Sequence, residues 1–268
     1  MNKVCMINVF FGELPHWFHY LLLSAKNNPD IDFIVFSDQV RTVRFDNVVL
    51  MHTDKEDFEG GVGEMFGKPD FKLDPVRKIC DFKTAYGQIF YRITLPYEFW
   101  GHYDLDVIFG NISNFISDDD YERYDIISAD PNRMCGPFTM YRTNKYIGAY
   151  ALHHDWEDIL FNQPPVAYDE IGISEAVKEH VDPSKVLYGR GSNGLLMQNY
   201  GSPHLSPPLR APATWDNGTL TIDEDSRETM MIHMGFKNEM VPVFVNQEEP
   251  DISQVSRFHI TTGGIALE

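Results

Sequence analysis

Phe99-Trp100-Gly101-His102-Tyr103-Asp104-Leu105-Asp106-Val107-Ile108-Phe109-Gly110 sets two carboxylates one residue apart within an apolar run. In an extended segment Asp104 and Asp106 point to one face and Leu105 to the other. Their Cα atoms then lie about 6.5–7 Å apart, close enough for both side chains to serve one divalent cation. Like charges held that close repel, so the pair needs a metal, a cationic partner or a shared proton to offset it. Two acids in a polar turn are simply solvated. Here Phe99, Trp100, Tyr103, Val107, Ile108 and Phe109 surround them, and acids embedded in apolar sequence must be paired, protonated or metal-bound.

The residues on either side indicate the fold. Lys3 to Phe10 is apolar almost throughout, as in a strand buried on both faces. Gly12 ends it, Leu14-Pro15 opens a helix, and Trp17, Phe18, Leu21, Leu22 and Ala25 recur at helical spacing. Asp32 to Asp38 reads as a second strand and Asn47 to His52 as a third. This β-α-β order predicts a parallel sheet with ligands at the C-terminal strand ends. Residues 53–75, rich in Gly, Asp and Lys, read as a loop. Pro75 to Tyr91 reads as a helix with Val76, Ile79, Phe82, Ala85, Tyr86, Ile89 and Phe90 in its apolar stripe. Arg77, Lys78, Asp81 and Lys83 fall off that stripe. Beyond Gly110 the pattern predicts a short helix over 112–116, strands over 125–129 and 135–142, and helices over 144–161 and 171–180. Asn217-Gly218 suits a type I′ hairpin turn, and Thr229 to Met234 reads as a late strand. The expected whole is one α/β domain over residues 1–268. Its halves, 1–110 and 111–268, share one continuous sheet, mixed but mostly parallel and flanked by helices.

At 268 residues with 43% hydrophobic content the chain can bury a sizeable core. A formal charge of −18 argues against nucleic acid and anionic membrane surfaces as partners. Cys5, Cys80 and Cys135 are scattered and odd in number, which fits a reducing compartment rather than a disulfide framework. The first residues lack a signal-peptide pattern, and no run of about 20 apolar residues predicts a transmembrane segment. The expected location is cytoplasmic.

A Rossmann-like first half, an aromatic-flanked D-x-D at a strand end and an irregular second half resemble the GT-A glycosyltransferases. The likeness is narrower to bacterial-type enzymes of capsule and lipopolysaccharide synthesis. It is carried by Lys78-Ile79-Cys80-Asp81-Phe82-Lys83-Thr84-Ala85-Tyr86-Gly87 followed by Phe99 to Gly110. The resemblance implies a nucleotide-diphosphate sugar donor, by analogy a UDP-sugar, a glycan or other hydroxyl acceptor, and Mn²⁺ or Mg²⁺ held by oxygen ligands. It makes Asp106 the direct metal ligand and lets Asp104 contact metal or ribose. Met231-Ile232-His233-Met234-Gly235-Phe236-Lys237 is similar to an H-x-x-G-x-K element shortened by one residue, with His233 on the metal and Lys237 on the diphosphate. Equally, His233 is a satisfied histidine at a strand end. Asp38 ends the second strand, where this fold binds base and ribose; Lys78, Asp81 and Lys83 reach for ribose and phosphates or are surface charges. Inverting enzymes of the fold place a base at the start of a helix in the second half, where Asp169-Glu170 precedes Ile171. That position suits an ionised carboxylate and equally an N-cap. A late histidine such as His233 also occurs in retaining enzymes. The expectation is inversion with Asp169 ahead of Glu170 as base.

Other classes compete. In haloacid-dehalogenase phosphatases a D-x-D supplies nucleophile and acid/base with Mg²⁺. That motif usually sits on the first strand; here it falls after residue 100, is followed by Val107-Ile108, and no G-D-x-x-x-D comes later. A glycoside hydrolase needs carboxyls facing each other across a sugar, which neighbours on one strand suit poorly. A non-catalytic glycan-binding module is a further class. Trp156, Tyr168, Tyr188 and Trp215 are candidates to stack on acceptor sugar and suit a core equally well.

Overall fold

The computed structural model describes residues 2–40, 42–191, 194–199, 211–235, 254–261 and 264–267. β1 (Val4–Phe10), α1 (Phe18–Lys26) and β2 (Ile31–Ser37) form the expected unit. β1 and β2 pair in parallel from Val4 opposite Ile31 to Phe10 opposite Ser37. There follow β3 (Val43–Phe45), β4 (Val48–His52), β5 (Phe99–Tyr103), β6 (Val107–Phe109), β7 (Ile126–Ser128), β8 (Phe138–Arg142) and β9 (Val186–Tyr188). All but β6 make one eight-stranded sheet in the order β3-β4-β2-β1-β5-β8-β7-β9. Every strand runs parallel to β1 except β3 and β8.

Val4 and Met6 of β1 pack on one face with Leu21, Leu22 and Ala25 of α1. Cys5, Ile7 and Val9 pack on the other with Phe58, Val62, Phe82, Ile173 and Val177. Burial on both faces is why β1 is apolar nearly throughout rather than alternating. The chain leaves β1 for β2 on one side and returns as β5 on the other. Strand order therefore reverses at β1/β5, where an open α/β sheet forms a crevice beyond its strand ends.

Three expectations for single segments are corrected. Residues 53–75 are not a loop: Lys55–Phe66 is a helix, α2, that buries Phe58 and Val62. Its glycines obscure it, yet Gly63 is required, because a Cβ there would lie 2.6 Å from the Lys68 carbonyl oxygen. Gly67 ends α2 in the left-handed conformation, φ 67°. The segment after Pro75 starts as a 3₁₀ helix, Val76–Ala85. Three residues per turn stack positions i and i+3, so Lys78 and Asp81 form a second inward row beside Ile79, Phe82 and Ala85. Lys78, Asp81 and Lys83 are all buried. The expected helix 144–161 is broken into Thr143–Tyr146, Ala149–Leu152 and Trp156–Phe161.

The sheet is not continuous through the whole chain. β6 leaves it to pair antiparallel with Met231–His233, which pairs in parallel with Met197–Asn199. A separate five-stranded antiparallel sheet contains the hairpin Ala213–Asp216/Thr219–Ile222, whose Asn217 and Gly218 have φ 46° and 94°. Trp215 is buried beneath it and donates from its indole to the Phe109 carbonyl at 3.0 Å. Tyr168 is core as well, while Trp156 and Tyr188 are half-buried. Among the described residues no helix is long and apolar enough to cross a membrane, and all three cysteines are free thiols.

Candidate functional site

β5 stops at Tyr103, so Asp104, Leu105 and Asp106 form a turn rather than an extended segment. The turn is held from several sides. Asn8 donates to the Tyr103 carbonyl at 2.7 Å, the Asp104 N–H donates to the Pro137 carbonyl at 3.3 Å, and the Trp17 indole donates to the Leu105 carbonyl at 2.9 Å. The Met234 N–H donates to the Asp106 carbonyl at 2.7 Å. Trp17, whose spacing sets it on the apolar stripe of the first helix, precedes that helix and pins the turn.

The pairing of β6 with the late strand sets His233 opposite Val107. His233 Nε2 thereby comes to 3.3 Å from Asp106 Oδ2. Asp104, Asp106 and His233 each offer a ligand atom, and these atoms lie within 4.8 Å of one another. Two carboxylates and one imidazole, with the acid side chains 27% and 22% exposed, fit a divalent cation that keeps part of its water shell. Burial opposes ionisation of Asp106, yet His233 and Lys83 hold its pKa below the usual value. Burial likewise disfavours charge on His233, and Asp106 with Asp104 and Glu170 raises its pKa nonetheless. Among the described residues His233 Nδ1 is buried with no hydrogen-bond partner.

Lys83 lies at the centre of the next layer. Its ammonium is 2.5 Å from Asp104 Oδ1 and 2.8 Å from Asp169 Oδ2, and donates to the Gly136 carbonyl at 3.2 Å. Three donors meet three acceptors. The same carbonyl is 3.1 Å from His102 Nδ1, so that nitrogen carries the proton of a neutral imidazole. Burial first, then Lys83, pushes the His102 pKa down to about 3. One ammonium shared between two carboxylates cannot neutralise both. Asp169 rises to about 7, because burial and the nearby Glu170 and Asp104 outweigh Lys83. Burial also raises Glu170, which stands 3.8 Å from Arg133.

Asp169 and Glu170 do precede the helix Ile171–His180, and neither side chain caps it. Asp169 is 4% exposed at its side chain and Glu170 22%. Lys78 and Asp81 do not join this cluster. They pair at 2.8 Å beneath it, Lys78 donating to the Ile159 and Pro164 carbonyls and Asp81 accepting from the Val166 and Tyr168 N–H groups. Their side chains fix the segment that delivers Asp169. Asp38 accepts from the Gly12 N–H at 3.0 Å, tying the ends of β1 and β2. Lys237 lies outside the described residues. Arg133, Gly136 and His102 were not singled out from sequence. Gly136-Pro137 before a strand is a turn signal, but nothing in it points to Lys83.

The chain belongs to a family of unknown function, DUF6625, whose family model matches residues 6–266. No curated protein matches it.

Proposed function

We propose that this DUF6625 protein is a metal-dependent glycosyltransferase of the GT-A type. It would move a sugar from a nucleotide-diphosphate sugar, with UDP-sugars the first to test, to a hydroxyl of a glycan acceptor. The observation that carries the reading is the convergence of Asp104, Asp106 and His233 at the C-terminal end of β5, beside the β1/β5 reversal. A strand-order reversal is where this class of sheet takes a nucleotide, and Asp38 and Gly12 border the same edge. A cation held by the three ligands supplies charge neutralisation for the departing diphosphate. The chain's own residues do the rest. Lys83 pairs with Asp169 and steadies it beside Glu170. Asp169 is too enclosed to meet an acceptor hydroxyl directly, so the more exposed Glu170 takes the role of base in an inverting transfer, with Asp169 as its neighbour and support. A pKa raised by burial brings Glu170 towards the working range of a base at neutral pH. A histidine among the ligands, and acids that do not follow the first strand, speak against the phosphatase reading.

The test is slow hydrolysis of UDP- and GDP-sugars by purified protein with Mn²⁺, Mg²⁺ or EDTA. Turnover of one donor with metal, lost in EDTA and in Asp106→Ala while the variant keeps its circular dichroism, supports the reading. Turnover unaffected by EDTA refutes the metal role. Absence of both turnover and metal-dependent nucleotide binding refutes the transferase.

A further inference from the structure

Lys83 makes an ion pair with a residue that is also a candidate cation ligand. Its ammonium is buried, 2.5 Å from Asp104 Oδ1, and its other two donors go to Asp169 and Gly136. Among the described residues the cluster is short of positive charge: Asp104, Asp106, Asp169 and Glu170 face Lys83, Arg133 and His233. A divalent cation binding at Asp104, Asp106 and His233 would share Asp104 with Lys83, and two cations on one carboxylate repel.

We propose that Lys83 is an internal counter-cation that neutralises Asp104 in the metal-free protein and is displaced from it towards Asp169 when the divalent cation binds. The proposal rests on the cation-site reading above. Lys83 is thus a positioning residue that makes cation binding on one side of the site felt at the carboxylates on the other. The competition has a definite sign. Removing the charge of Lys83 removes both a competitor and a repelling neighbour, so the cation binds more tightly, although the metal-free protein becomes less stable. If Lys83 only holds Asp104 in place, losing it weakens cation binding.

The experiment is titration calorimetry with Mn²⁺ alone on wild type, Lys83→Met and Lys83→Arg, with thermal unfolding in EDTA and in Mn²⁺. Lys83→Met is expected to bind Mn²⁺ on the order of tenfold more tightly, the scale for removing one close like charge in a partly buried site. Its melting temperature falls in EDTA and is raised by Mn²⁺ more than that of wild type. Lys83→Arg stays near wild type in both. If Lys83→Met does not fold in EDTA, Asp169→Asn gives the opposite sign: Lys83 then relies on Asp104, and Mn²⁺ binding weakens several-fold. Unchanged or weaker binding by Lys83→Met, or unchanged or tighter binding by Asp169→Asn, overturns the displacement and leaves the cation site standing. A wild type that binds no Mn²⁺ overturns both.

Discussion

Asp81→Asn removes one charge and almost no volume from the pair beneath the site. Asp81 is wholly buried and accepts from Lys78 Nζ at 2.8 Å and from the Val166 and Tyr168 N–H groups at 3.1 and 2.8 Å. Lys78 is buried too, and among the described residues its ammonium's other partners are the Ile159 and Pro164 carbonyls. Asparagine leaves that ammonium without a counter-charge. Breaking a buried pair from one side costs about 3–5 kcal/mol. At ~2–4 °C per kcal/mol for a chain of this size, that is a fall of roughly 6–20 °C in melting temperature. Replacing both members by neutral groups is far milder, because no charge is left stranded. Lys78→Met combined with Asp81→Asn should therefore recover much of the loss. The assay is urea unfolding followed by tryptophan fluorescence, with the slopes compared to confirm the same transition. A loss below about 1 kcal/mol for Asp81→Asn, or a double variant as unstable as the sum of the singles, refutes the account of a mutually dependent pair.

Gly136→Ala would put a Cβ 2.7 Å from both Asp169 Oδ2 and Glu170 Oε1. The protein should fold and bind Mn²⁺ while sugar transfer falls roughly 10²-fold, the scale of an ångström-sized misplacement; activity within twofold of wild type counts against these carboxylates. The raised pKa of Asp169 fixes a pH dependence of stability. The folded value of about 7 lies above the ordinary aspartate value of 3.8, so the group's contribution is present below about pH 4 and is lost as pH rises towards 7. In EDTA, wild type should lose stability relative to Asp169→Asn across that window; parallel urea midpoints for the two would contradict it.

What could be read from the sequence is what local pattern governs. The β1-α1-β2 unit, the helix Ile171–His180 and the Asn217-Gly218 turn rest on periodicity, breakers and positive φ, all of which act over a few residues. The two acids could be read because carboxylates inside an apolar run demand compensation. What supplies it could not. Lys83 reaches Asp169 across 86 positions, and the 3₁₀ period that buries Lys78 and Asp81 leaves the same letters as an α-helix with a charged face. α2 escaped because Gly60, Gly61 and Gly63 argue for a loop on propensity, while tertiary packing of Phe58 and Val62 decided otherwise.

The turn at 104–106 shows why a single strand could not have built this arrangement. Had β5 run on straight, Asp104 and Asp106 would flank the sheet, and nothing would bring His233 to them. The chain must leave the sheet immediately after the acids so that β6 can pair with Met231–His233. Leaving a sheet strands backbone groups, and buried ones need partners. Asn8, the polar break in an otherwise apolar β1, serves the Tyr103 carbonyl just beyond the last β1–β5 pair, Ile7 with His102. Pro137, Trp17 and Met234 serve the Asp104 N–H, the Leu105 carbonyl and the Asp106 carbonyl. Leu105 turns inward and is buried. The parts of the turn left partly open are the two carboxylates, at 27% and 22%. A reversal that needed only to change the chain's direction would not require an asparagine from one strand, an indole from outside α1 and a backbone donor from the far end of the chain. Those three commitments are explained if the turn exists to hold two acids at a fixed separation, with an imidazole brought to them from the far end of the chain.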